Sequence, residues 1–149
     1  MKVNFTLNHH PESWDVDPNE YFLDTLRAHD ITSVRRGCDT TSCGVCTVLM
    51  DGKPVPSCSV LSISLEGKTI LTVEGIKDSA ERLAEHMGHH GADQCGYCNP
   101  SLALTVHAMK QEIKNPTDQD ISEYLVGNLC RCTGYKGQEE AIKLFLEEK

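Results

Sequence analysis

The stretch Gly37-Cys38-Asp39-Thr40-Thr41-Ser42-Cys43-Gly44-Val45-Cys46-Thr47-Val48 places three cysteines on one short loop, with the spacing C-x4-C-x2-C. A fourth cysteine, Cys58, follows beyond Asp51-Gly52, which is a strong signal for a β-hairpin. The hairpin can return Cys58 toward the loop, so that three thiols come from the loop and one from a separate segment. The spacing therefore predicts a site with four thiolate ligands, at Cys38, Cys43, Cys46 and Cys58.

This spacing is that of a plant-type [2Fe–2S] loop, in which four thiolates hold two irons. Gly37 and Gly44 are expected to let the backbone pass close to the inorganic sulfides, where a Cβ would obstruct it. Two other sites compete with a cluster. Zinc is usually bound by two C-x2–4-C knuckles, and a disulfide framework needs an oxidising compartment. The x4 gap disfavours zinc, and no export signal supports disulfides.

Composition limits the class of protein. The chain has 149 residues, of which 39% are hydrophobic and 24% charged, as in a globular protein with one ordinary domain or two small ones. A formal net charge of −8 argues against a nucleic-acid partner, because phosphate contacts need clustered Lys and Arg. No long apolar run and no signal-peptide core are evident, so we expect no membrane partner and a cytoplasmic location.

Hydrophobic periodicity changes near residue 75. Before that point it is mostly two, which predicts a mixed sheet packed on one helix. After that point it is near 3.6, which predicts four short helices in a bundle. The fold class expected is α+β, with domains over 1–75 and 76–149. In the first half, the predicted elements are a turn at 8–11, a helix near 22–27 with Asn19 as N-cap, and strands at 3–7, 13–16, 47–50, 54–58 and 69–73. In the second half, helices are predicted at 80–87, from Pro100 to Asn115-Pro116, from Thr117 through Val126, and at 140–146. Gly88 or Gly91 is expected to end the first of these four helices.

A second set of four cysteines lies in the helical half. Cys95-Gly96-Tyr97-Cys98 precedes the helix that starts at Pro100, and Cys130-Arg131-Cys132 follows the third helix. Loops that flank helices can meet at one end of a bundle. A C-x-C pair is unusual for zinc, so the set favours an iron–sulfur cluster while leaving a zinc site open.

Three motifs in order resemble the small iron–sulfur subunit of the molybdenum hydroxylases, over nearly the whole chain. They are Cys38-x4-Cys43-Gly44-x-Cys46-Thr47, Gln94-Cys95-Gly96-Tyr97-Cys98-x-Pro100, and 127–135 with the sequence Gly-Asn-Leu-Cys-Arg-Cys-Thr-Gly-Tyr. The resemblance implies a plant-ferredoxin-like β-grasp domain followed by a four-helix bundle, each holding one [2Fe–2S] cluster.

The resemblance also implies a role in electron transfer. Electrons would pass from a molybdenum pterin on a large subunit, through the clusters, to FAD on a medium subunit, as in xanthine dehydrogenases. Gln94 and Cys132 match positions beside the pterin. The proximal cluster would be held by Cys95, Cys98, Cys130 and Cys132, and the distal one by the first set. The alternatives are a free-standing two-cluster ferredoxin or redox carrier, and a structural zinc module.

Some residues depart from the family pattern, although none of them is a predicted ligand. Thr41 replaces a common Gly, Asn99 and Ser101 replace Thr and Gly around Pro100, and Gln138 replaces an apolar residue. The turn Asn8-His9-His10-Pro11 replaces a more usual Asn-Gly turn. These changes could shift cluster potentials or alter the surface that meets a partner.

Other features of the sequence add no catalytic site. His86, His89 and His90 have helical spacing, but we expect ordinary exposed histidines there more than a metal site. No G-x-G-x-x-G, P-loop or nucleophile pattern indicates a flavin, pterin or substrate site. The substrate would therefore be chosen by another chain.

Overall fold

A computed structural model describes residues 1–148 of the chain. Its sheet has five strands in the order β2-β1-β5-β3-β4, with β1 and β5 parallel and the other neighbours antiparallel. This mixed sheet confirms the strand-rich first half. The strands are β1 (Lys2–Leu7), β2 (His10–Asp15), β3 (Thr47–Met50), β4 (Lys53–Pro56) and β5 (Thr69–Leu71).

Two tight hairpins build the sides of the sheet. Asp51 and Gly52 both have positive φ, at 51° and 81°, which is the backbone that a two-residue turn between twisted strands requires. Asn8 and His9 do the same between β1 and β2, at 48° and 71°. The first turn is therefore two residues long, and Pro11 lies inside β2 instead of in the predicted turn.

The helix α1 (Phe22–Ala28) buries Phe22, Leu23 and Leu26 against the sheet, as its spacing predicts. The prediction of Asn19 as its N-cap is wrong, because Tyr21 is the N-cap residue. Tyr21 is extended and forms a β-bridge with Leu61, which delays the start of the helix. The N–H of Asn19 instead donates to Asp17 Oδ1 in the preceding turn, at 2.8 Å.

The strand that leads to Cys58 and the last strand are both shorter than predicted. Cys58 lies in a single 3₁₀ turn, Ser57–Ser59, which follows β4. The strand β5 ends at Leu71, since the N–H of Thr72 donates to the side-chain oxygen of Asn8 at 2.9 Å, where a ladder bond would otherwise form. Further 3₁₀ turns lie at Ser62–Leu65 and Val73–Ile76.

Four helices follow the sheet, as predicted, with different bounds. They are α2 (Lys77–His89), α3 (Asn99–Glu112), α4 (Asp118–Tyr124) and α5 (Lys136–Glu147). A capping box between Thr117 and Asp120 begins α4. This helix ends before Leu125, so Val126 lies outside it and is 79% exposed, not packed as its helical spacing suggested.

The sheet is covered on both faces. Val48 belongs to the core beneath α1, whereas its neighbour Leu49 packs into the core of the helical half. Successive strand residues point to opposite faces, so β3 joins the two cores. The helix α3 packs on β3 and on α2, and α5 contacts both α2 and α4. Within residues 1–148, no helix combines the length and apolar character needed to cross a membrane.

Candidate metal centres

The cysteine thiols come together in pairs. In the first set, the thiol of Cys38 lies beside that of Cys43, and the thiol of Cys46 beside that of Cys58, close enough for each neighbour to affect the pKa. In the second set, the pairs are Cys98 with Cys130 and Cys95 with Cys132. All of these cysteines are free thiols. Two pairs per set match the needs of a cluster in which each of two irons takes two thiolates.

The first loop is built to favour a thiolate at Cys38. Backbone N–H groups of Cys43, Thr40 and Ser42 donate to its sulfur, which lowers the pKa of Cys38 to about 6. Thiolate is the form that binds metals, and N–H donors stabilise its charge. The Thr47 hydroxyl donates to the carbonyl of Gly44 at 2.7 Å and closes the turn.

The partner pair of the first set is more deeply placed. Burial, and then the neighbouring Cys58 thiol, raise the pKa of Cys46 to about 11. The Ser57 hydroxyl donates to the Cys46 carbonyl at 2.8 Å and holds the two segments together. A bound cation would supply the positive charge that a thiolate at Cys46 needs, so this pair fits metal ligation.

The second set has a closed side and an open side. Burial, and then Cys130, raise the pKa of the buried Cys98 to about 11. Burial opposes ionisation at Cys130, but the Thr133 hydroxyl at 3.3 Å and nearby backbone N–H groups outweigh it and lower the pKa of Cys130. On the exposed side, the hydrogen bond with Cys95 raises the pKa of Cys132.

A cavity of about 470 Å³ joins the second set to the first. It is lined by Cys95, Cys98, Cys130 and Cys132 together with Cys43 and Gly37. The backbone N–H of Leu129 donates to the Cys43 carbonyl at 2.9 Å, so the two cysteine loops are in direct contact.

Arg35 and Tyr97 form further contacts between the segment 94–98 and the chain just before the first cysteine loop, and we call this pair the clasp. Arg35 Nη1 donates to the Gly96 carbonyl at 2.7 Å, and its guanidinium lies 5.1 Å from the centre of the Tyr97 ring. The Tyr97 hydroxyl in turn donates to the Arg36 carbonyl at 2.7 Å. Sequence reasoning missed this clasp, and only the place of Tyr97 between two cysteines could have drawn attention to it.

Gly37 and Gly44 have distinct reasons to lack a side chain. A Cβ on Gly37 would stand 3.1 Å from Cys43 Sγ and 2.5 Å from a methyl of Val45. The absence of a side chain at Gly37 therefore leaves room beside a thiol of the first set, as its place next to Cys38 predicts. Gly44 has a positive φ, and its Cβ would meet the carbonyl of Gly127. Its constraint thus lies at the contact between the two loops, which the sequence did not indicate.

Three of the departures from the family pattern contact one residue, Cys98. The Ser101 hydroxyl donates to the Cys98 carbonyl at 2.9 Å, and Asn99 Oδ1 lies 3.9 Å from Cys98 Sγ. Gln138, only 3% exposed, donates from Nε2 to Cys98 Sγ at 3.8 Å. Thr41, the fourth departure, has a φ of 57°, a conformation in which glycine carries no strain.

The remaining predicted residues lie apart from this shell. Gln94 and Cys132 are both exposed, at the open side of the second set. His86 Nε2 lies 2.7 Å from Glu148 Oε1, and His90 Nδ1 lies 2.8 Å from the His86 carbonyl. In the part of the chain that the structure describes, no three or more His, Cys, Asp or Glu side chains converge on the position of a single metal ion.

Comparison with known proteins identifies two cluster-binding domains in the chain. Residues 5–72 match the family model of the 2Fe-2S iron-sulfur cluster binding domain, and residues 72–143 match that of the [2Fe-2S] binding domain. The small FeS subunit of nicotinate dehydrogenase from Eubacterium barkeri is 38% identical over 150 residues, or 99% of this chain and 96% of that protein. The xanthine dehydrogenase iron-sulfur-binding subunit of Escherichia coli O157:H7 is 38% identical over 140 residues, which are 91% of this chain and 88% of that protein.

Solved structures of oxidoreductases also match nearly the whole of this chain. Quinoline 2-oxidoreductase from Pseudomonas putida 86 superposes with a TM-score of 0.89 and 36% identity, over 96% of this chain and 90% of that one. The aldehyde oxidoreductase of Desulfovibrio desulfuricans has a TM-score of 0.89 and 33% identity, over 97% of this chain and 17% of that longer one. With both cluster-binding domains matched and relatives similar along nearly its whole length, the chain belongs to the family of small iron–sulfur subunits of the molybdenum hydroxylases.

Proposed function

We propose that this chain is the electron-transfer subunit of a molybdenum hydroxylase, an oxidoreductase complex of the xanthine dehydrogenase type. Electrons would enter from a molybdenum pterin on a large subunit and leave to FAD on a medium subunit. When bound, the two [2Fe–2S] clusters supply one-electron redox chemistry that no side chain of this protein offers. The observation that carries the proposal is the pairing of the cysteine thiols in two sets, with Cys43 of the first set lining the same cavity as all four cysteines of the second.

Each cysteine set would hold one cluster. The distal cluster would take Cys38, Cys43, Cys46 and Cys58 within a β-grasp domain over residues 1–75. The proximal cluster would take Cys95, Cys98, Cys130 and Cys132 within a four-helix bundle over residues 76–149. The separate cores on the two faces of the sheet support this division.

The contact between the two loops offers a short route from one cluster to the other. Leu129 directly precedes Cys130 in the sequence, and its backbone N–H donates to the carbonyl of Cys43. We infer that, with both clusters bound, this hydrogen bond would lie on the path of the electrons. Cys98, on the buried side of the second set, is 8% exposed.

The open side of the second set suits a contact with the large subunit. Cys132 and Gln94 are exposed there, beside an apolar hollow of about 300 Å³ lined by Leu102, Leu125, Val126, Leu129 and Tyr135 among others. A second subunit that covered this surface would bring its pterin to Cys132. Exposed apolar side chains of this kind are typical of interfaces.

Substrate choice would lie on another chain. The relatives named for nicotinate and xanthine dehydrogenases are equally similar to this protein, and a structural neighbour acts on quinoline. Because the motifs are shared across different substrates, they would serve electron transfer and not recognition of the substrate.

The test is purification of the tagged chain from its source cell, with mass spectrometry of the proteins and analysis of the metals that accompany it. We expect a large subunit with molybdenum, a subunit with FAD, and iron and acid-labile sulfide for two clusters. Recovery of the chain alone with both clusters would instead indicate a free-standing redox carrier. Zinc without sulfide would overturn the cluster assignment.

A further inference from the structure

Gln138 is a buried polar residue with a single clear contact. It lies in the first turn of α5, is 3% exposed, and directs its amide nitrogen at Cys98 Sγ over 3.8 Å. Burying an amide is unfavourable unless it is hydrogen-bonded. The neighbouring hollow is lined by leucines and by polar residues such as Ser122 and Asn128, but the hydrogen bond that the Gln138 side chain makes is to Cys98. The sulfur is therefore the partner that accounts for a glutamine at this position.

The neighbours of Cys98 support the same orientation. Ser101 Oγ donates to the Cys98 carbonyl, and Asn99 Nδ2 donates to Asp93 Oδ1 at 2.9 Å, which leaves its Oδ1 toward the thiol. The side chains of Ser101 and Asn99 are thus polar and held by their own hydrogen bonds. An amide N–H is the one donor among these three side chains that points at the sulfur itself.

A donor to a cluster sulfur acts differently on the oxidised and reduced states. Reduction adds one electron and one negative charge to the site, with no bond broken and no proton required. An N–H···S hydrogen bond stabilises the more negative state more strongly, and hydrogen bonds to sulfur are among the factors that set cluster potentials.

We propose that Gln138 raises the reduction potential of the cluster held by the second cysteine set, through its hydrogen bond to Cys98. Gln138 is a positioning and tuning residue, which does not contact substrate. The proposal rests on the proposed function, because it requires a cluster at these thiols. It assigns a role to Gln138, which stands where the family pattern has an apolar residue.

The experiment compares Gln138→Met with the unaltered complex in a redox titration followed by electron paramagnetic resonance. Methionine keeps the volume and removes the donor. We expect the equilibrium constant for reduction of the second cluster to fall about fivefold, which is about 40 mV at 59 mV per tenfold for one electron. The first cluster should keep its potential. Coupling of an exchangeable proton to the reduced second cluster should weaken in the same variant.

The matched control is Gln119→Met, the same replacement on α4, where Gln119 bonds to Glu123 of its own helix. It should leave both potentials unchanged. Gln138→Leu provides a second variant if Gln138→Met assembles poorly. Full iron and sulfide with an unshifted second potential would overturn the role of Gln138 alone, whereas absence of the second cluster from the unaltered complex would overturn the proposed function.

Discussion

The carbonyl oxygen of Gly127 lies so near Gly44 that a Cβ on Gly44 would stand 1.8 Å from it. One glycine belongs to the first cysteine loop and the other precedes the second, so the two loops meet backbone to backbone. The hydrogen bond from the Leu129 N–H to the Cys43 carbonyl, at 2.9 Å, joins the same two loops beside this contact. Several experiments can test what this junction does.

Gly44→Ala should separate the two loops. Alanine cannot occupy the space in front of Gly127, and it also strains the positive φ of 73°. We expect a loss of at least about 2 kcal/mol in the free energy of unfolding, together with slower electron transfer between the clusters. Chemical denaturation and rapid-freeze spectroscopy measure these two effects.

Gly67→Ala is the control for backbone strain. Gly67 has a φ of 71° and no atom near its missing Cβ, so its replacement should cost only about 1 to 2 kcal/mol and leave electron transfer unchanged. Equal behaviour of the two variants would show that the contact with Gly127 has no role.

Cys130→Ser should remove the second cluster. A serine oxygen is a poorer ligand for iron than a thiolate, so we expect loss of half of the iron and no turnover, while the large subunit keeps its molybdenum. Thr133→Val is the comparison, because it deletes the hydroxyl 3.3 Å from Cys130 Sγ and leaves the thiol in place. Normal turnover of Cys130→Ser with a full two-cluster spectrum would contradict the assignment.

Arg35→Met should loosen the segment 94–98. It removes the hydrogen bond to the Gly96 carbonyl and the contact with the Tyr97 ring, which together hold that segment to the first loop. We expect backbone hydrogen exchange there to rise about 10-fold to 100-fold, since a hydrogen bond from a charged group contributes about 1.5 to 3 kcal/mol. Mass spectrometry of exchanged peptides gives the rate.

Arg36→Met separates a specific effect from a change of charge. Arg36 pairs with Asp24 of α1 within the same part of the fold, and only its backbone carbonyl meets Tyr97. Exchange at 94–98 should then stay at its original rate. Equal loosening in both variants would refute the clasp.

His107 should make the fold less stable in mild acid. Burial, and then the nearby Lys110, lower the pKa of His107 below its ordinary 6.5. Between these two values the unfolded chain binds the extra proton and the folded chain does not, so stability rises with pH through this window. The contribution is complete above pH 6.5 and is lost as the pH falls below it.

Urea denaturation between pH 5 and pH 8 should show this slope, and His107→Gln should reduce it. His10→Gln, which replaces an exposed histidine at the start of β2, is the control and should keep the slope. A slope that survives His107→Gln would assign the acid sensitivity to other groups.

Cysteine spacing and turn chemistry could be interpreted from the sequence because both act over short distances. Asp51-Gly52 has one favoured geometry, and thiols that bind a common cluster need fixed spacing. The order of strands in the sheet could not be obtained in this way, since the pairing of β1 with β5 joins residues more than 60 positions apart. The start of α1 was missed for the same reason, because the bridge between Tyr21 and Leu61 overrides the local preference of Asn19 for an N-cap.

The candidate sites show the same division. Each set of cysteines was identifiable, but the approach of Gln138 to Cys98 depends on how α5 packs against the loop before α3. Gln138 and Cys98 are 40 positions apart, and nothing in the spacing of either residue indicates the other. A polar residue at an otherwise apolar position was the only sign, and it gave no partner.

The prolines of the outer strands have a consequence for the chain before it meets its partners. Pro11 lies on β2 and Pro54 and Pro56 lie on β4, the two borders of the sheet. Proline has no N–H to offer, so neither border can readily recruit a strand from another copy. Addition of a strand from a second copy of the chain is thereby disfavoured at both borders of the sheet.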